Sequence, residues 1–103
     1  MTTWFVSRHP GAVDWAARQG LAVDQWVSHL DLGLVQPDDT VIGSLPVNLA
    51  ALVCQRGARY LHLSLELSAH LRGQELSADQ LEQLGAQLCQ YQVLSPTSAK
   101  QQP

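Results

Sequence analysis

Five consecutive residues, Ser7-Arg8-His9-Pro10-Gly11, bring a hydroxyl, a permanent cation and an imidazole together just ahead of a segment that favours helix. All three suit the same kind of ligand. An arginine guanidinium grips a phosphate through two parallel hydrogen bonds, and a histidine titrates near neutrality and can move a proton. The first amides of a helix point outward unpaired, and together with the helix dipole they attract anions. A phosphate ester fits this set. The same residues also read as a plain polar loop between strand and helix, with Ser7 as a cap and Arg8 solvated.

Gly43-Ser44-Leu45-Pro46 occupies the matching place after a later strand. There glycine permits close backbone approach, and the Ser44 hydroxyl either turns toward a ligand or caps the next helix. The loop lacks the lysine and spacing of a triphosphate-binding loop, and the chain lacks the glycine-rich dinucleotide fingerprint. Nucleoside triphosphate hydrolysis and nicotinamide binding are therefore disfavoured. His62, between two leucines of an alternating segment, reads as a hydrogen-bonded structural histidine, and His29, His70 and Glu66 carry the same reading. Asp38 and Asp39 read as solvated turn residues. No set of His, Asp and Glu has metal-ligand spacing, so neither a metal nor a cofactor is expected. Cys54 and Cys89 fall in segments predicted as helix and read as reduced, buried packing residues.

The elements that must position these loops alternate along the chain. Thr2-Thr3-Trp4-Phe5-Val6 is β-branched and aromatic and reads as a short buried strand, followed by a helix from Ala12 to Gln19 with Ala12, Val13, Trp15 and Ala16 inward. Gln25 to Leu30 is a weaker strand and Asp31 to Asp39 a loop. Thr40 to Gly43 resumes a buried strand, Pro46 opens a helix over Val47 to Arg56, and Arg59 to Leu65 alternates with period two. Ser77 with Gln80 forms a capping-box signature, and Leu81, Leu84, Leu88 and Tyr91 then recur at helical spacing, which predicts a last helix reaching Tyr91. The fold class expected is α/β, a small mostly parallel, Rossmann-like sheet covered by helices. It forms one domain over 1–94, with a flexible polar tail over 95–103. In such sheets ligands bind beyond the carboxyl ends of strands near a reversal of strand order, the place where both loops emerge.

Composition narrows the ligand further. With 103 residues there is material for one core, and a net charge of −3 lacks the broad positive field needed to coat long DNA or RNA. No apolar run approaches the roughly 20 residues that span a bilayer, and the amino terminus lacks a secretory pattern, so a cytoplasmic protein with no membrane partner is expected.

Several segments together are similar to one family. The opening Thr-Trp-Phe-Val-Ser-Arg-His-Pro-Gly-Ala, His29-Leu30-Asp31, Asp39 to Val47 and Arg56 to Leu63 resemble the small Csx-type accessory proteins of type III CRISPR systems, the ring nuclease group. The resemblance covers nearly the whole chain up to about Tyr91. It implies a fold related to the CARF sensor domain, a homodimer, and a cyclic oligoadenylate ligand, cyclic tetra-adenylate first among them. It also implies metal-independent cleavage of that messenger by attack of a ribose 2′-hydroxyl on the adjacent phosphate, which silences the effectors it activates. On this reading Arg8 and His9 are catalytic, and Ser7, Gly11, Gly43 and Ser44 bind substrate. Two alternatives stay open: a module that sequesters the messenger uncut, and a protein-interaction adaptor that binds no nucleotide.

Overall fold

Alternation of apolar side chains with period two sends Trp4 and Phe5, and likewise Val41 and Ile42, to opposite faces of their strands, and all four are buried. A sheet buried on both faces needs helices on both, and the computed structural model, which describes residues 1–65 and 76–96, has that arrangement. Five strands, β1 (Thr3–Val6), β2 (Gln25–Val27), β3 (Thr40–Gly43), β4 (Arg59–Ser64) and β5 (Gln87–Tyr91), form one sheet in the order β2-β1-β3-β4-β5. The first four run parallel, and β5 is antiparallel to β4. The order reverses between β1 and β3.

Three helices, α1 (Pro10–Arg18), α2 (Val47–Gln55) and α3 (Ala78–Gln83), cover the sheet. On one face Phe5, Ile42 and Leu63 pack against Ala12, Trp15 and Ala16 of α1 and Leu81 of α3. On the other, Trp4, Val41 and Tyr60 pack against Ala50 and Val53 of α2, with Val35 from the loop ahead of β3. Fully burying a side chain such as Phe5 or Ile42 contributes about 1.5–3 kcal/mol, so these two layers hold the sheet in register. Arg18 reaches Asp79 at 2.6 Å and Glu82 at 3.3 Å across the α1–α3 contact, an exposed cluster that adds little beside the packing.

Four expectations need correction. The helix predicted to run to Tyr91 stops at Gln83, and Cys89 lies in β5. Gly85 at φ 74° ends the helix, and the following residues pair with the otherwise open edge of β4, where unpaired backbone groups outweigh a local helical pattern. Val13 is exposed, because α1 begins at Pro10 and turns Gly11, Ala12, Trp15 and Ala16 inward. Cys54 and Cys89 are free, as expected, but half-buried. The tail expected to be flexible falls, beyond Pro96, outside the described residues, as do Glu66 and His70.

The fourth correction concerns Asp39, which is 3% exposed and holds the amino-terminal end of the sheet together. Its carboxylate accepts from the Thr2 amide at 2.8 Å, the Gln36 amide at 2.9 Å and the Trp4 indole at 3.1 Å. The two amide bonds, Gln36 first, and the indole bond outweigh burial and hold its carboxyl below the usual range. Because the folded pKa is depressed, the contribution to stability is complete above about pH 4 and is lost as pH falls through the lowered value. Asp39→Asn turns an amide N–H₂ toward groups that can only donate. We expect a Tm loss on the order of 10 °C at neutral pH and a shallower acid limb than wild type, both measured by calorimetry.

Candidate functional site

Parallel pairing aligns the strand ends. The row through the ends of β1, β2 and β3 reads Val27, Val6, Gly43, His62 and Cys89, and β4 runs two residues further, to Ser64. At its centre a Cβ on residue 43 would lie 2.9 Å from the Val6 carbonyl oxygen, so only glycine lets β1 and β3 stay this close up to the point where they part. Beyond that point the chain leaves β1 for α1 on one face and β3 for α2 on the other. The Ser7–Gly11 and Gly43–Pro46 loops therefore flank one crevice at the reversal of strand order.

Both helices that start at the crevice lack a side-chain cap. His9 is the N-cap of α1, with Pro10 behind it, and Pro46 is the N-cap of α2; neither supplies a side-chain hydrogen bond to the first turn. By contrast α3, which starts elsewhere, has a complete capping box from Ser77 and Gln80. The alternative in which Ser7 and Ser44 act as caps is thus not what the chain does. Ser7 Oγ accepts from the His9 amide at 3.1 Å and tightens the turn, while the Ser44 hydroxyl donates to the Leu63 carbonyl at 2.8 Å and fastens its loop to β4. Two helix starts without side-chain caps flank one crevice, and the dipoles of both favour negative charge there.

Arg8 and His9 are exposed at the mouth of this crevice. Arg8 has no carboxylate partner among the described residues; one guanidinium nitrogen lies 3.1 Å from His29 Nε2, beyond the end of β2. Arginine can only donate, so His29 accepts, with its own proton on Nδ1. That contact aims the guanidinium without neutralising it. His29, read from the sequence as structural, is thereby brought to the site by the β1–β2 pairing. Gly11 is buried instead, and a Cβ there would collide with the Leu76 carbonyl, so this glycine serves the packing of α1 against the chain entering α3.

A second group at the crevice escaped sequence reasoning. Tyr60 is 3% exposed, and its hydroxyl accepts from the Leu45 amide at 2.9 Å, lies 3.2 Å from the Gly43 carbonyl and 2.6 Å from His62 Nδ1. Burial pushes the phenol pKa up against the opposing effect of the Leu45 amide, so Tyr60 keeps its proton. The i, i+2 spacing of Tyr60 and His62 in an alternating strand was the signal available, since it puts both on one face. The carboxyl end of β4 also borders a depression lined by Ser64, Leu65, Gln83 and Gln87. No three His, Cys, Asp or Glu side chains gather among the described residues, and no described helix is long and apolar enough to cross a membrane.

Comparison with known proteins supplies the family. Residues 4–94 match the model of the family Cas_VVA1548, described as "Putative CRISPR-associated protein". No curated protein and no solved structure matches the chain. The matched span begins in β1 and ends beyond β5, and so includes both loops of the crevice and the Tyr60–His62 pair. The chain is a member of the CRISPR-associated family Cas_VVA1548.

Proposed function

We propose that this protein is a ring nuclease of type III CRISPR systems that binds a cyclic oligoadenylate, cyclic tetra-adenylate first among them, and opens it. The observation that carries the reading is the exposed Arg8 guanidinium, free of any described carboxylate, beside two uncapped helix ends in a chain of a CRISPR-associated family. A cyclic oligonucleotide is compact and anionic, which suits a local site on a protein of net charge −3 where a long polymer does not fit. The fold is read as CARF-related and the working unit as a homodimer. A symmetric dimer sets two copies of the Arg8–His9 loop around a two-fold ring.

Chemistry on this reading comes mostly from position. The ribose 2′-oxygen attacks the neighbouring phosphorus, the bond from phosphorus to the 5′-oxygen breaks, and the product carries a cyclic phosphate end. Because the nucleophile belongs to the substrate, no water has to be activated and no metal is required by the step. Holding the 2′-oxygen in line with the leaving oxygen is worth roughly 7–11 kcal/mol when geometry is ideal. Arg8 stabilises the charge that grows on the phosphoryl oxygens, and His9 assists the proton transfer. Ser7, whose hydroxyl proton is free, and the backbone amides of the turn after Gly43 orient the phosphates, while Gly11 and Ser44 hold the two loops in place.

Incubation of purified protein with cyclic tetra-adenylate in the presence of a chelator, followed by chromatography, tests the proposal. We expect linear products with cyclic phosphate ends. Unchanged ring that co-elutes with the protein identifies a sequestering module instead, and no thermal shift with any cyclic oligoadenylate identifies an adaptor. Arg8→Ala, an exposed position that the fold does not need, weakens binding about 10- to 100-fold in calorimetry and slows turnover as well. His9→Ala leaves binding intact and slows single-turnover cleavage by about 100-fold or more; a wild-type rate in that variant removes His9 from the mechanism.

A further inference from the structure

Opening a phosphodiester by an internal 2′-hydroxyl involves two protons, one lost by the attacking oxygen and one gained by the leaving oxygen. The Arg8–His9 loop provides one exposed imidazole. Across Gly43 from that loop, His62 of β4 stands in the row that ends β1 and β3, the row of Val6. Residue 43 has no side chain to stand between Val6 and His62, whose backbones are two strand spacings, roughly 10 Å, apart.

The hydrogen bonds around His62 accommodate either imidazole tautomer. Tyr60 has one hydroxyl proton and two acceptors in reach, His62 Nδ1 at 2.6 Å and the Gly43 carbonyl at 3.2 Å, while the Leu45 amide donates to its oxygen. In one arrangement Tyr60 donates to Nδ1, and the imidazole proton sits on Nε2. In the other, Nδ1–H donates to the tyrosine oxygen, the hydroxyl turns to Gly43, and Nε2 is either a bare acceptor or protonated. Each arrangement leaves Tyr60 and Nδ1 fully paired, so moving a proton at Nε2 costs no broken bond in the interior. The Tyr60 and Tyr91 rings meet the imidazole edge-on at centroid distances of 5.7 and 5.8 Å and fix the direction of Nε2. Other titratable groups nearby are Cys89, opposite in the ladder, and Cys54 of α2 beside Tyr60; neither strand adjoining β4 brings a charged group to the rows of Tyr60 and His62.

We infer that His62, positioned by Tyr60, is the second proton-transfer residue of the site and delivers the proton to the 5′-oxygen as it leaves phosphorus, while His9 accepts the proton of the 2′-hydroxyl. The inference rests on the ring-cleavage reading. One P–O bond forms and one breaks, the proton accepted at His9 balances the one given by His62, and both histidines are reset by exchange with water.

The test is single-turnover cleavage of cyclic tetra-adenylate across pH, with calorimetric binding in parallel, by wild type, His62→Gln and Tyr60→Phe. His62→Gln should bind the ring as wild type does, cut it about 100-fold more slowly or worse, and lose one limb of the pH–rate profile. A ring with bridging sulfur at the scissile 5′ position, which departs without protonation, should restore its rate; Tyr60→Phe should displace the same limb. Wild-type cutting by His62→Gln, or failure of the sulfur-bridged ring to rescue it, overturns the role of His62 and leaves ring cleavage standing. A wild-type protein that leaves the ring intact overturns the parent reading and this one with it. Should both variants unfold, ¹⁵N resonances of the wild-type imidazole decide: movement of the Nε2 signal on adding a non-cleavable 2′-deoxy ring supports the assignment, and an unmoved signal overturns it.

Discussion

The close parallel contact between β1 and β3 at Val6 and Gly43 is the constraint on which the carboxyl end of this sheet depends. With 2.9 Å between the Val6 carbonyl oxygen and the place a Cβ would take, the two strands stay paired to their last residues and separate only in the loops. Because α1 then packs on the Phe5 and Ile42 face and α2 on the Trp4 and Val41 face, the chain must diverge at that point. A crevice between two uncapped helix starts follows from this divergence, whatever the loops contain.

The two ends of the sheet have opposite polar economies. At the amino-terminal end, Asp39 gathers Thr2, Trp4 and Gln36, and main-chain bonds from Thr40 to Thr2 and from Arg59 to Asp39 stitch β1, β3 and β4 together. At the carboxyl end Arg8 and His9 are exposed, and the contact made by the guanidinium is with a neutral acceptor on His29. Buried polar bonding is concentrated at the amino-terminal end, and donor capacity is left at the carboxyl end, where an anion could use it.

Tyr60 couples the interior to that open end. Its ring belongs to the core against α2, while its hydroxyl holds the Gly43–Leu45 turn and reaches His62. A single buried phenol thus sets the shape of one loop and the orientation of an imidazole beside it. Disturbing the packing of α2 on β4 would therefore be felt at the crevice.

Much of this was legible in the residues. Strand and helix types, the order of the first seven elements and the loops that leave β1 and β3 follow from local pattern. Side-chain period and turn chemistry are properties of short segments, and the rule that ligands sit beyond parallel strand ends places Arg8 and His9 once those elements are known. Contacts between segments distant in sequence were not legible. Gln87 to Tyr91 has helical spacing but pairs with β4, because an open edge of that strand offers hydrogen bonds that no local tally includes. Asp39 reads as a turn residue until three donors from separate segments converge on it. His29 and His62 read as structural histidines until strand pairing sets one beside Arg8 and the other across from Gly43. The sequence by itself determined which chemistry was available and on which loops; only the tertiary structure decided which side chains meet, because strand order and register are settled by burial and pairing over the whole sheet.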